Sequence, residues 1–154
     1  GETDIRAAHP TFETDLEAGD DRINKTHVRA AAAAFDGLTS TRDVNLYALN
    51  TTPVPIIRNE ELVLIYAEAK LQSNALADAA DALNTIRTKH NLPARLDLDT
   101  KAKLIDEMLK QRRYSLFGEG HRWVDMRRYN RLATLSIDRA GDDVWTHVPL
   151  PAGE

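Results

Sequence analysis

The feature that most constrains the fold is a series of helical sequence patterns that fills the later two thirds of the chain. Asn59 is a plausible N-cap, and Glu60 and Glu61 place negative charge in the first turn, where the helix dipole favours it. Residues 62–67 are apolar on all sides, which is typical of a helix buried between others. We predict that this first helix ends near Ser73.

A second helical pattern follows after a turn at Ser73 and Asn74, and it ends near His90. Two helices joined by so short a turn form an antiparallel hairpin. The small and apolar positions of a tetratricopeptide unit are present at their usual spacing: Ala67, Ala79, Leu83 and Ile86. Asn74 lies where that unit has a turn glycine, and asparagine tolerates the left-handed conformation.

The third predicted helix is the longest, and Asp99 or Thr100 can cap it. Its apolar residues form two neighbouring rows: Leu104, Met108 and Leu116, and then Ile105, Leu109 and Phe117. Arg112 and Arg113 fall on the same rows, so each must reach solvent or meet a carboxylate. Two glycines end this helix, and a shorter fourth helix is predicted over 121–131.

The remaining segments lack a strong pattern. Residues 1–55 are predicted to be an irregular or extended lead-in to one helical domain over 56–154. A short helix is expected within 11–18, and 43–49 is expected to be extended. The alanine-rich stretch 30–35 stays ambiguous, because alanine favours helix but the run is too short to be stable alone. The predicted fold class is all-α, with tetratricopeptide-like helical hairpins behind an irregular N-terminal segment.

Composition excludes several classes of protein. A formal net charge of -4 argues against a general nucleic-acid binder. Ten basic against five acidic residues over 101–139 fit either a salt-bridged helix pair or a basic binding surface. The chain has no cysteine, which rules out disulfides and thiolate metal sites. No cofactor loop is recognisable, and the histidines lie too far apart to predict a metal site: His9, His27, His90, His121 and His147.

Targeting signals are not recognisable in this sequence. Residues 1–10 have neither a charged region nor an apolar core of the kind that a signal peptide has. No apolar run approaches the roughly 20 residues that a membrane-spanning helix needs. If the protein is exported, its targeting segment is expected to lie outside the printed sequence.

Three ordered motifs resemble the C-terminal signature of the SusD/RagB family. They are Ala67-Glu68-Ala69, then Leu83-Asn84-Thr85-Ile86-Arg87, and then the series Glu119, Gly120, His121, Arg122, Trp123, Asp125, Arg127 and Arg128. The closing Pro149, Leu150, Pro151 and Glu154 also resemble the end of that family. Gln111 and Ser115 stand where the family often has glutamates, so the double arginine between them, Arg112-Arg113, needs other carboxylates as partners. The predicted partners are Glu68, Glu119 and Asp125.

The resemblance implies a surface lipoprotein of the outer membrane of Bacteroidetes-type bacteria. Such a protein sits over a SusC-like TonB-dependent transporter and captures glycans or peptides for import. The resemblance also implies no catalysis and no cofactor, and membrane association only through an N-terminal lipid anchor outside the printed sequence. A generic tetratricopeptide-like adaptor for other proteins is the alternative, and a carbohydrate-active enzyme is a further rival.

The candidate site residues divide into two groups. A structural, non-catalytic role is predicted for the cluster of Arg112, Arg113, Glu119, His121, Arg122, Trp123, Asp125, Arg127 and Arg128. The enzyme rival would use Glu119, His121 and Asp125, but their spacing does not by itself place two carboxylates across a cleft. Trp123 is expected to be core. Trp145 and Tyr47 lie in less regular segments and are the predicted exposed aromatics that could contact a ligand.

Overall fold

The computed structural model describes residues 6–47, 49 and 51–148. Its α-helices are α1 (Thr11–Thr14), α2 (Asn59–Gln72), α3 (Leu76–Lys89), α4 (Lys101–Ser115) and α5 (His121–Arg128). Strands β1 (Thr26–Phe35) and β2 (Leu38–Val44) form one antiparallel hairpin, and short 3-10 turns span Asp21–Lys25 and Leu132–Thr134. The closing motif, Pro149–Pro151 with Glu154, lies outside the described residues.

Helices α2, α3 and α4 enclose the main core. Ser73–Ala75 connect α2 to α3, and Asn74 has the predicted left-handed conformation, with φ of 63°. Ala67 and Ala79 are 1% and 0% exposed, so small side chains do stand where the two helices approach each other. The predicted rows of α4 also point inward, since Leu104 and Met108 are both fully buried. A helical hairpin is thus confirmed, while its likeness to a tetratricopeptide unit stays a prediction.

Helix α2 is buried on one side only, so the expectation that it lies between other helices is wrong. Leu62, Ile65 and Tyr66 are each about half exposed, because α3 and α4 pack only against its other side. Its start also differs from the prediction. Arg58 is the cap residue and Asn59 already belongs to the helix. Thr100, in contrast, caps α4 as expected by accepting a hydrogen bond from the Lys103 amide.

The all-α prediction fails in the N-terminal segment, which contains the β-hairpin; the extended stretch expected over 43–49 is in β2 only as far as Val44. Asp36 and Gly37 connect the strands, with φ of 49° and 79°. Positive φ at both positions is what a two-residue hairpin turn requires, and Asp-Gly is a favoured pair for it. The alanine run 30–34 lies in β1, where Ala33 and Ala34 pair with Ser40 and Thr39 after an irregularity that begins beyond Val28. Pairing within the hairpin overrides the intrinsic preference of alanine for helix. This Asp-Gly signal was available in the sequence.

The N-terminal residues are fastened to the C-terminal end of α4. Lys25 Nζ donates to the carbonyl oxygens of Tyr114 and Ser115. The buried side chain of Arg22 donates to Ser115 Oγ over 2.9 Å and is itself paired with Asp20. Cations near the end of a helix stabilise its unpaired carbonyl groups. The division of the chain at residue 55 stays a prediction.

Within 6–47, 49 and 51–148, none of the helices is both long enough and apolar enough to cross a bilayer.

Candidate functional site

The site is built where the chain turns from α4 into α5. Gly118 has φ of 78°, and a Cβ added there would lie 2.5 Å from Leu46 Cδ1. Gly120 has φ of 80° and precedes the first residue of α5. Both values lie in the left-handed region that glycine adopts without steric cost. This turn folds α5 back against α4 and brings the residues of the third sequence motif next to the double arginine.

A buried ion pair joins the two helices. Arg112 Nε donates to Asp125 Oδ2 over 2.7 Å, and both residues are less than 10% exposed. Arg128 donates to the other oxygen of Asp125 and also makes two hydrogen bonds to Glu68 on α2. Asp125 was one of the carboxylates predicted for the double arginine, and it is confirmed as the partner of Arg112. Asp125 thus pairs with both Arg112 and Arg128.

The network of hydrogen bonds extends from Glu68 to Tyr129. The Tyr129 hydroxyl donates to Glu68 Oε1 over 2.7 Å. Burial, together with the nearby carboxylate, raises the pKa of Tyr129 to about 12. Burial opposes ionisation of Glu68, but hydrogen bonds from Arg128 and Tyr129 hold its pKa below its usual value. Glu68, the middle residue of the first motif, therefore stays ionised and links α2 to α5.

The other predicted carboxylate has a different partner. Glu119 pairs with Arg58, which also donates to the Ser115 carbonyl over 2.7 Å. Arg113 instead reaches back to the N-terminal segment, where it pairs with Asp15 over 2.8 Å and donates to Thr11. Sequence reasoning missed Asp15 because it lies 98 residues away along the chain. No local pattern links the two positions.

The arrangement assembles no acid–base centre from Glu119, His121 and Asp125. Glu119 is held by Arg58, and Asp125 is buried between two arginines. His121 faces a third carboxylate, with 3.9 Å between its Nε2 and Glu61 Oε1. A glycosidase needs two carboxylates facing each other across an open cleft, one of them with a raised pKa. These contacts fit a bracing role for the cluster.

The exposure of the three aromatic residues agrees only in part with the prediction. Trp123 is only partly buried, so its assignment to the core is wrong. Its Nε1 donates to the Trp145 carbonyl over 2.9 Å, and the guanidinium of Arg127 lies 5.4 Å from the centre of its ring. Trp145 and Tyr47 are 54% and 46% exposed, as expected of surface aromatics. Their contact with a ligand stays a prediction.

Two adjoining cavities lie beside this cluster. The larger, of about 550 Å³, is lined by aromatic and positively charged side chains, among them Phe12, Phe117, Trp123 and Arg122. The smaller, of about 290 Å³, lies between α4 and α5. Arg113 and Arg122 line both. The larger cavity lies within the range of roughly 300–1,000 Å³ that is usual for ligand pockets, and the smaller is close to it.

A second buried charge network lies under the helical hairpin, and sequence reasoning missed it. Glu107 is 1% exposed and accepts hydrogen bonds from Arg87, Arg95 and Gln111, each within 2.8 Å. Burial alone would raise the pKa of Glu107, but these three donors together hold it below its usual value. Arg87, the last residue of the second motif, also binds Glu17 through two hydrogen bonds. This motif arginine therefore ties α3 to α4 and to the N-terminal segment.

This network predicts how stability depends on pH. The hydrogen bond from Arg87, opposed by partial burial and helped by Lys110, lowers the pKa of Glu17 from 4.5 to about 2. Because the folded-state pKa lies below the unfolded value, the Glu17 contribution is complete above about pH 4.5 and is lost as the pH falls towards 2. We expect the free energy of unfolding of the wild type to be higher than that of Glu17→Gln at pH 6, and the difference between the two to be smaller at pH 2.5. Urea unfolding followed by circular dichroism measures both free energies. A difference that stays constant between these pH values would contradict the lowered pKa of Glu17.

One group of possible metal ligands occurs among the described residues. Asp20, Asp21 and His90 bring one ligand atom each within 4.8 Å of one another. Asp20 is already paired with the buried side chain of Arg22. The two ring nitrogens of His90 lie 2.6 Å from Asp21 and 2.7 Å from Glu60. The side chains of Asp20, Asp21 and His90 are thus already engaged with other groups of the protein. We therefore interpret these three residues as part of an ion-pair network.

Comparisons with known proteins agree with the motifs. The family model described as the SusD family matches residues 37–145, which is well over half of the chain. The SusD-like protein P38 of Formosa agariphila is 29% identical over 92 residues, which cover 54% of this chain and 18% of that protein. The chain thus matches less than a fifth of the length of this relative. No solved structure matches significantly.

Proposed function

The chain belongs to the SusD family, and we propose on that basis that it is part of a protein that captures a nutrient glycan at the cell surface for import. Capture is non-covalent, with no cofactor and no bond cleavage. The protein is held at the outer membrane by an N-terminal lipid anchor and works with a SusC-like TonB-dependent transporter. A peptide cargo is the alternative within the same role.

The match over residues 37–145 is the observation that carries this proposal. The geometry supports it in two ways. The motif carboxylates Glu68, Glu119 and Asp125 are each held by an arginine, which suits a rigid scaffold better than proton transfer. The cavities beside the cluster join apolar and aromatic walls to a few polar groups, the combination that sugar and other small-molecule sites use.

Glycan capture can be tested with a panel of polysaccharides. The purified chain should be retarded in native gels that contain its glycan, while the glycan gains no new reducing ends on incubation. Trp145→Ala and Tyr47→Ala test the two exposed aromatics, and loss of retardation would assign them to the ligand surface. Release of reducing ends that is abolished by Glu119→Gln would contradict the proposal and favour the enzyme rival.

The partnership needs a separate measurement. A tagged copy of the longer protein, expressed in its own host, should co-purify with a TonB-dependent outer-membrane transporter. It should also be labelled by a lipid-anchor precursor and be accessible to protease on intact cells. Co-purification with soluble intracellular proteins instead would favour the generic helical adaptor.

A further inference from the structure

Arg122 is the one basic residue lining the two cavities that has neither an ion pair nor a hydrogen bond among the described residues. The other four arginines and lysines of the cavity walls are each paired with a carboxylate: Lys110 with Glu17, Arg112 with Asp125, Arg113 with Asp15, and Arg131 with Asp106. Burial, together with the neighbouring guanidinium of Arg113, lowers the pKa of Arg122. Asp125 and Asp15 act on Arg122 only from a distance, and a half-buried cation without a direct ion pair is stabilised when an anion binds to it.

Tyr114 gives a second, independent indication. It is 1% exposed, it lines the smaller cavity together with Arg122, and its hydroxyl has no hydrogen-bond partner among the residues that the structure describes. Buried hydroxyl groups are nearly always hydrogen-bonded, so an unpartnered one calls for an explanation. Tyr114 is held from the other side by the ring of Phe12, 5.3 Å away. Tyr114 therefore lines the same cavity as the unpaired Arg122, and its unpartnered hydroxyl is covered by protein.

The charge balance of the walls favours an anion. Five arginines and lysines line the two cavities, against two aspartates, Asp15 and Asp106. Both aspartates are already paired with arginines. The whole chain carries a net charge of -4, so the positive balance is a local property of this surface. It accounts for part of the basic excess over 101–139.

We propose that the two adjoining cavities form a binding site for an acidic sugar, in which Arg122 pairs with the carboxylate or sulfate group and binding uncovers the Tyr114 hydroxyl, which then donates a hydrogen bond to the bound residue. A guanidinium matches the two oxygens of such an anion, which it can bind through two parallel hydrogen bonds. Trp123, Phe12 and Phe117 provide apolar wall for the sugar ring in the larger cavity. The choice of a sugar as cargo rests on the proposed function, whereas the need for an anion rests on the side chains alone.

Calorimetry with matched trisaccharides tests the proposal. The probes are trigalacturonate, neutral galactotriose and a sulfated galactose trisaccharide, each titrated into the 154-residue chain at low ionic strength. We expect at least one acidic probe to bind and the neutral one to bind at least tenfold more weakly. Arg122→Gln should weaken acidic binding by about 10- to 100-fold and Tyr114→Phe by about 3- to 10-fold, as expected for lost charged and neutral hydrogen bonds. Which acidic probe binds distinguishes carboxylate from sulfate.

Lys101→Gln is the control, because it changes the net charge equally and Lys101 is exposed at the first position of α4 and lines neither cavity. It should leave the affinity within about twofold of wild type. Neither Arg122→Gln nor Tyr114→Phe removes a partner from another described group, so neither variant should have an unfolding midpoint below the wild-type value.

Several outcomes would overturn the proposal. They are equal binding of acidic probes to wild type and Arg122→Gln, no binding of any acidic probe, and binding of inorganic sulfate as tight as that of the sugar. A peptide with a free C-terminal carboxylate that shows the same dependence on Arg122 would replace the sugar with a peptide. If a neutral glycan is retarded in native gels equally by wild type and Arg122→Gln, the acidic-sugar site fails while the proposed function stands.

Discussion

Replacing Arg87 with methionine should lower the free energy of unfolding by about 3–5 kcal/mol, the usual cost of leaving a buried charge without its partner. The Arg87 side chain is 2% exposed and that of Glu107 is 0% exposed, with 2.8 Å between their interacting atoms. Methionine fills much of the volume but leaves Glu107 with only Arg95 and Gln111, and it removes both hydrogen bonds to Glu17. Urea unfolding at pH 7 measures the loss.

An exposed ion pair provides the comparison for Arg87. Lys103, in the first turn of α4, pairs with Asp99 just before the helix, and both side chains are exposed, so Lys103→Met should change stability little. Adding Glu107→Leu to Arg87→Met should recover part of the loss, because a buried pair replaced by apolar residues is often tolerated. A loss below 1 kcal/mol for Arg87→Met would mean that Arg95 alone compensates Glu107.

Asp125→Asn should cost about 3 kcal/mol or more, although it keeps the shape of the side chain. The substitution removes the only carboxylate paired with the buried guanidinium of Arg112 within the described part of the chain. It also removes a charge from the pair with Arg128, which keeps Glu68. Chemical unfolding followed by the fluorescence of Trp123 and Trp145 measures the change.

A double-mutant cycle separates the Arg112–Asp125 pair from general disruption of the fold. Asp125→Asn combined with Arg112→Gln should destabilise by clearly less than the sum of the single changes, because the second substitution removes the stranded charge. Additive effects would show that the two groups do not depend on each other. Glu119→Gln is a milder control, since its partner Arg58 is partly exposed and still donates to the Ser115 carbonyl.

Several features of the helices that depend only on neighbouring residues agree with the predictions from the sequence. Thr100 accepts the capping hydrogen bond of α4, Asn74 takes the left-handed turn conformation, and Ala67 and Ala79 are buried at α2 and α3. Caps, turns and the helical period each depend on a few neighbouring residues, so they can be derived without coordinates. The sequence signal for the β-hairpin, the pair Asp36-Gly37, is equally local. It was missed because the alanine run before it has helical propensity.

The partners of the charged residues could not be derived in this way. Arg113 meets Asp15 across 98 positions, Arg87 meets Glu17 across 70, and Arg112 selects Asp125 over the other carboxylates. Each choice depends on how the helices and the N-terminal segment come together, which no short window of sequence specifies. The partial burial of Trp123 and the unpaired state of Arg122 follow from the same packing.

The sequence by itself determined the family, the order of the main helices, and the set of residues that gather at the turn between α4 and α5. Their motifs are local in the chain and chemically distinctive. Only the tertiary structure decided which of these residues form ion pairs that brace the fold. An arginine carries the same charge wherever it stands, and its role is set by whether folding brings a carboxylate within reach.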